Sequence, residues 1–125
     1  MDFNIIRSRY RPWTRIQGMR IKHGWLVINT WLRIGKPKIP LKITDWGSYY
    51  DDRGWCYKLL YKDPNQTAVI TKICERWGVT PDTQSGNVST VGHTEAELLN
   101  LIQAILEVQA YRNFRERGWI VDEIS

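Results

Sequence analysis

The sequence predicts an α+β fold: an antiparallel sheet of about four strands in the N-terminal half, packed against two C-terminal helices, and a short last strand near residues 119–121. Two observations predict this class. Apolar and polar residues alternate between residues 15 and 62, which is typical of half-buried strands. Residues 63–77 and 94–117 instead carry apolar side chains at helical spacing. We expect residues 1–13 to form a basic arm and residues 14–125 to form a single α+β domain.

Trp25–Ile34 is the clearest predicted strand. One face of this strand is aliphatic apart from Thr30. Turn residues precede the strand at His23-Gly24 and follow it at residues 35–37. A segment at residues 15–22 is expected to pair with it as a hairpin. The aliphatic face consists of Leu26, Ile28, Leu32 and Ile34.

Two further strands are predicted, separated by a loop. Residues 39–44 alternate, and Pro40 favours a position at the edge of the sheet. Residues 45–54 contain two glycines and three aspartates, which predicts a loop. Residues 55–62 alternate again and are interpreted as the fourth strand.

The first predicted helix begins at Asp63-Pro64. Asp63 is the expected N-cap, Pro64 suits the first helical position, and Gln66 completes a capping box. Gly78 is the expected stop. Residues 79–92 show no regular spacing of apolar residues and are interpreted as one long loop. Loops of this length are often functional or mobile.

The second predicted helix runs from a capping box at Thr94 and Glu97 to about Arg117, where Gly118 ends it. Its apolar residues cover more than one stripe, which favours a central position or a surface shared with a partner chain. We therefore expect a homodimer through helix 94–117, and expect Leu101→Glu or Val108→Glu to disrupt it.

The charge is divided unevenly along the chain. Residues 1–44 contain ten Lys or Arg and one acidic residue, whereas residues 45–125 contain eight basic and twelve acidic residues. Arginines interleaved with aromatic rings suit a partner with phosphates and flat bases. The candidate binding residues are Arg7, Arg9, Tyr10, Arg11, Trp13, Arg15, Trp25, Trp31, Arg33, Lys36 and Lys38, with Trp46, Tyr49 and Tyr50 as loop contacts.

Two of these features have an alternative interpretation. Residues 2–13 also suit a first edge strand with solvated charges. The face that carries Trp25, Asn29, Trp31 and Arg33 is either an outward stacking platform or a second packed layer or subunit interface.

We therefore expect a small basic protein that binds DNA or RNA through phosphate contacts and stacking. The alternative is a protein-interaction module (an adaptor, an inhibitor or a subunit of a larger assembly) that docks an acidic surface through exposed Trp and Arg. Catalysis is not expected. His93-Thr94-Glu95 resembles the zinc-deaminase HxE fragment, but the accompanying PCxxC is absent.

No cofactor or metal is expected. Asp45, Asp51 and Asp52 are candidates for a cation site, but their spacing is not that of a calcium loop, so a solvated turn is the favoured interpretation. A metal-dependent nuclease is the third hypothesis, with a weak signal. No stretch is apolar and long enough to span a bilayer, and Cys56 and Cys74 form no CxxC; both observations favour a cytoplasmic protein with buried thiols and no membrane partner.

Overall fold

The computed structural model describes residues 16–22, 25–30, 41–45, 47–116 and 118. Within these residues, one antiparallel sheet of six strands packs with three helices, which confirms the α+β class. The elements are β1 (Ile16–Lys22), β2 (Trp25–Thr30), β3 (Leu41–Asp45), β4 (Tyr50–Asp51), α1 (Trp55–Leu59), α2 (Gln66–Trp77), β5 (Thr80–Asp82), β6 (Asn87–Ser89) and α3 (Glu95–Glu116).

The three N-terminal strands lie where the alternation of apolar residues predicts them. β1 pairs with β2 as the expected hairpin, with Lys22 opposite Trp25 and a register shift between Ile16 and Gly18. β2 pairs with β3, where Leu26 lies opposite Ile43. Among the described residues the strand order is β1-β2-β3-β4-β6-β5, so the expected edge position of the third strand is wrong, because β3 lies between β2 and β4. The predicted continuation of β2 to residue 34, the basic arm and the predicted last strand lie outside the described residues.

The prediction of a strand at Trp55–Lys62 is wrong, because Trp55–Leu59 forms the helix α1. The apolar residues of Trp55–Lys62 fit both the two-residue repeat of a strand and the 3.6-residue repeat of a helix. The buried positions show which of the two forms. Cys56, Leu59 and Leu60 are buried, at positions i, i+3 and i+4, as on one face of a helix. The rings of Trp55 and Tyr57 are partly buried against the core, whereas Lys58, Tyr61 and Lys62 are exposed.

Two predicted loops contain strands. Within residues 45–54, Tyr50 pairs with Asp45 to form β4. Within residues 79–92, β5 and β6 form a hairpin, with Asp82 opposite Asn87, and β6 also pairs with β4. Val88 is the single fully buried residue of β5 and β6, so these strands have almost no apolar pattern, and backbone pairing defines them.

The two long helices are confirmed, and the start of α2 differs in detail. The predicted N-cap Asp63 and capping-box residue Gln66 are wrong: Asn65 is the N-cap and makes no side-chain cap hydrogen bond, Asp63 Oδ1 accepts the N–H of Asn65 over 2.8 Å, and Gln66 Nε2 donates to the carbonyl of Tyr57. At the other end, Gly78 has φ 69° and its N–H donates to two carbonyls of the last turn. At α3, the N–H of Glu97 donates to Thr94 Oγ1 over 3.2 Å, as expected of an N-cap.

α3 is the centre of the core and packs against α1 and α2. Leu101 and Val108, chosen above as residues of a shared dimer surface, are fully buried within the single chain. The broad apolar surface of α3 is thus covered by the chain's own elements, and the homodimer stays a prediction without this support. The fully buried apolar residues of α3 are Leu98, Leu101, Ile102, Ala104, Ile105, Leu106 and Val108.

Candidate nucleic-acid interface

A buried carboxylate fixes the start of α1. Asp52 is fully buried, and its Oδ1 accepts the N–H of Gly54 and the N–H of Val88, each over 2.9 Å. Its Oδ2 accepts the N–H of Cys56 over 2.8 Å. Burial raises the pKa of Asp52 above its ordinary value, although the backbone donors of Val88, Cys56 and Gly54 act in the opposite direction. One side chain therefore joins the first turn of α1 to strand β6.

The turn before α1 has a left-handed backbone at two consecutive residues. Arg53 has φ 54° and Gly54 has φ 80°. At Gly54 a side chain would also meet the β5–β6 turn, because a Cβ there would lie 3.4 Å from the carbonyl oxygen of Gly86. The close approach of these two backbones places the side chain of Arg53, which is exposed, beside the tip of the hairpin.

The first depression, of about 590 Å³, lies between α1 and the β5–β6 hairpin. Its volume is in the range of small-molecule sites, about 300–1,000 Å³. One wall carries the rings and cations of α1 and its flanking turns, and the other carries polar groups of the hairpin. The lining residues are Arg53, Gly54, Tyr57, Lys58, Tyr61, Gln66, Ser85, Gly86 and Asn87.

The second depression, of about 480 Å³, lies between α1, the turn that follows it and the end of α3. Lys58 and Tyr61 line both depressions and therefore form their common border. The other lining residues are Leu59, Leu60, Lys62, Asp63, Pro64, Arg112, Arg115 and Glu116.

Tyr61 is the most exposed ring at this border. Its relative exposure is 74%, whereas Tyr57 is half-buried. The Lys62 Nζ lies 5.6 Å from the Tyr61 ring centroid, within cation–π range. Lys62 itself has φ 67°, so the turn after α1 also has a left-handed residue. An exposed ring close to cations suits stacking on a base beside a phosphate.

The C-terminal part of the chain concentrates its positive charge at these two depressions. Residues 45–125 contain eight basic and twelve acidic side chains, yet five of the eight basic side chains line the depressions. Two carboxylates, those of Asp63 and Glu116, line them as well. A segment that is acidic as a whole thus presents a local cationic surface. The five basic residues are Arg53, Lys58, Lys62, Arg112 and Arg115.

Three ionisable groups of α1 and α2 are held in their neutral forms. Burial raises the pKa of the Cys56 thiol well above its ordinary value, with the Asp52 carboxylate adding to the effect. Burial likewise raises the pKa of Cys74 to about 12, and raises that of Tyr57. Thiols that resist ionisation are poor nucleophiles, so Cys56 and Cys74 act as packing residues here.

The two loop tyrosines named in the sequence analysis have different surroundings. Tyr49 is exposed to 37%, whereas Tyr50 is fully buried in β4 and stacks on His93 at a centroid distance of 4.2 Å. His93 Nε2 lies 2.9 Å from Asp45 Oδ1. Tyr50 therefore contributes to the core, and Tyr49 is the ring of this pair that faces solvent.

Most of the binding residues expected from the sequence lie outside the residues that the structure describes. Trp25 begins β2, but its side chain is not described. Val27, on the same strand face, is 4% exposed, so this face of β2 is covered at Val27. The residues outside the described part are Arg7, Arg9, Tyr10, Arg11, Trp13, Arg15, Trp31, Arg33, Lys36, Lys38 and Trp46.

The three aspartates considered for a cation serve the backbone instead. Each accepts the N–H of the residue two positions later: Asp45 from Gly47, Asp51 from Arg53, and Asp52 from Gly54. Asp51 and Asp52 are buried, so the expected solvated turn is wrong for them. Across the described ranges, no group of three or more His, Cys, Asp or Glu residues is placed to hold a metal ion.

Lys58 and Lys62 were missed because the segment around α1 was interpreted as a strand, whereas Arg112 and Arg115 lie on a helix that was predicted and were missed because the residues they meet are distant in sequence. A strand would place Tyr57 and Lys58 on opposite faces. The signal for a helix was present: Cys56, Leu59 and Leu60 have helical spacing, and Asp52 precedes them as an acceptor for the first turn. Tyr57 on α1 and Tyr61 in the turn after it line the same depression.

Comparison of the chain with protein-family models, with curated proteins and with solved structures finds no match. Function is therefore inferred from the geometry of this surface and from the charge of the chain. Among the helices in the described part, none has the length and apolar character needed to cross a bilayer.

Proposed function

We propose that the protein binds single-stranded nucleic acid across the surface formed by α1 and its flanking turns. The observation that carries this proposal is the exposed Tyr61 ring at the common border of two depressions lined by five basic side chains. Backbone phosphates suit the cations, and a base suits the ring, because every base offers a flat face for stacking.

The polar side of the first depression supports the same ligand. Ser85 and Asn87 offer a hydroxyl and an amide opposite the cationic wall. Such groups hydrogen-bond to base edges or sugar hydroxyls once a strand has been attracted by charge. The basic residues 1–44 add long-range attraction for a polyanion, whatever their position relative to this surface.

The test is a fluorescence anisotropy titration in which the protein is added to a labelled eight-nucleotide oligothymidylate at several salt concentrations. Wild type is expected to bind with an affinity that falls linearly in log–log form with salt. Tyr61→Ala should weaken binding by about 1–3 kcal/mol, whereas Tyr61→Phe keeps the ring and should retain most of the affinity. Lys58→Gln should lower the salt slope by about 0.7.

Arg76→Gln is the matched control. Arg76 is exposed on α2, pairs with Glu107 and lines neither depression, so its loss changes net charge equally without removing a proposed contact. Equal effects of Lys58→Gln and Arg76→Gln would assign the binding to general charge and remove α1 from the mechanism. Absence of binding by folded wild type at low salt would refute the proposal and favour an acidic protein surface as the partner.

A further inference from the structure

We infer that the second depression continues the binding site beyond Tyr61, and that phosphate groups replace carboxylates as the partners of Arg112 and Arg115 there. This inference rests on the proposed function. Its starting point is the common border: a strand whose base stacks on Tyr61 has the first depression on one side and the second on the other.

Each of the two arginines lies close to a carboxylate. Arg112 Nε lies 3.4 Å from Glu116 Oε1, and Arg115 Nε lies 3.9 Å from Asp63 Oδ2. The distance at Arg115 exceeds that of a hydrogen bond, and all four side chains keep some exposure. A phosphate that enters this depression therefore meets two guanidinium groups that are about a quarter exposed and whose carboxylate contacts are at 3.4 Å and 3.9 Å.

Phosphate is the better partner for these guanidinium groups. It accepts two parallel N–H bonds from one arginine, whereas the contact of Arg112 with Glu116 uses a single carboxylate oxygen at 3.4 Å. Arg112 and Arg115 are three positions apart on α3, so they face the same depression. Asp63 keeps a backbone partner, the N–H of Asn65 at 2.8 Å, and stays in place when Arg115 is withdrawn.

The position of the depression makes the arginines indispensable for binding there. Both lie in the last two turns of α3, where the helix dipole contributes partial negative charge that repels an anion. Without Arg112 and Arg115, the described charged residues that line this depression are Lys58, Lys62, Asp63 and Glu116, whose formal charges cancel. We therefore expect removal of the two arginines to abolish the contribution of the second depression.

The experiment measures the affinity of the variant that combines Arg112→Gln and Arg115→Gln for two probes. One is a thymidine dinucleotide, dT2, and the other is the eight-nucleotide oligothymidylate, dT8. The dinucleotide is expected to occupy the Tyr61 position alone and to bind this variant as it binds wild type. The longer strand is expected to lose about tenfold in affinity and about 1.4 in salt slope, the value for two phosphates on a single strand. Glu116→Gln should instead tighten dT8 binding, because it removes a competing carboxylate.

The control combines Lys72→Gln with Arg76→Gln, which removes the same charge from exposed positions of α2. Equal losses for the two double variants, or an unchanged affinity of the Arg112/Arg115 variant for dT8, would overturn the inference. Neither result touches the proposed function, provided that wild type binds dT8 and Tyr61→Ala binds it less well. A wild type that binds neither probe would refute the proposed function itself.

Discussion

Substitution of Asp52 gives the sharpest test of how the α1 surface is held. Asp52→Ala removes the acceptor of three backbone donors. The N–H of Gly54 is near solvent, whereas those of Cys56 and Val88 belong to fully buried residues. Two unsatisfied buried donors at about 1–3 kcal/mol each predict a loss of about 2–6 kcal/mol in the free energy of unfolding. This is a large part of the ~5–15 kcal/mol of a typical domain.

Asp52→Asn is the matched variant with nearly the same shape. Its carbonyl oxygen still accepts from Gly54 and Val88, while its amide faces the N–H of Cys56, so one buried donor loses its acceptor. We expect a loss of about 1–3 kcal/mol. Urea unfolding followed by Trp fluorescence at neutral pH should rank wild type above Asp52→Asn, and Asp52→Ala last.

The pH dependence of the free energy of unfolding shows whether burial or the backbone hydrogen bonds dominate the pKa of Asp52. Burial raises the pKa of its carboxyl group, so the folded protein retains this proton above the ordinary value of 3.8. The native state then binds more protons than the unfolded state, and the free energy of unfolding falls as pH rises through this window. Asp52→Asn lacks this titration. The stability advantage of wild type over Asp52→Asn should therefore shrink from pH 4 upward and then become constant.

An advantage that grows with pH over the same range would refute this reasoning. It would mean that the three backbone donors outweigh burial and that the carboxylate form is favoured in the fold. The comparison is between two proteins that differ at one residue, so titration of the other groups cancels.

Three further predictions follow from burial. Tyr50→Ala should cost about 3–5 kcal/mol of stability, whereas Tyr49→Ala should cost under about 0.5 kcal/mol, as urea melts will show; equal costs would contradict the core position of Tyr50. Above pH 9 the unfolded Cys74 thiol ionises while the folded one, with its pKa near 12, does not. Wild type should therefore lose about 1.4 kcal/mol by pH 10 relative to Cys74→Ala, and parallel pH profiles would argue against it. Leu101→Glu should unfold the chain, measured by circular dichroism; a folded monomer obtained from a dimer would restore the shared-helix interpretation.

The sequence predicted the elements that have a strong period or a clear stop. α2 and α3 follow from apolar residues at helical spacing, with Gly78 and Gly118 at their ends. Gly118 has φ 76°, and its N–H donates to the carbonyl of Arg115 over 3.0 Å. The hairpin of β1 and β2 follows from alternation on both sides of a turn. These features are local, and tertiary packing does not change them.

The sequence did not predict elements that depend on distant partners. β4 has two residues and β5 and β6 have three each, so their identity depends on pairing across the chain, such as that of Asp51 with Ser89. α1 is a five-residue helix, and its start depends on hydrogen bonds from a side chain that is itself buried by β6. The net charge of residues 45–125 is negative and therefore does not predict that five basic side chains of this segment line one surface in the fold.

Asp52 connects the stability of the fold to the proposed binding surface. The same oxygen, Oδ1, accepts from Gly54 in the turn before α1 and from Val88 in β6, and these two segments carry opposite walls of the first depression. Because Asp52→Asn retains that oxygen, it should keep the spacing of the walls and bind single strands with nearly wild-type affinity while folded. Asp52→Ala releases the walls from each other and should weaken binding even under conditions in which it remains folded. Equal affinity of the two folded variants would show that backbone pairing alone, such as the 3.0 Å bond from the N–H of Asp52 to the carbonyl of Val88, holds the depression in shape.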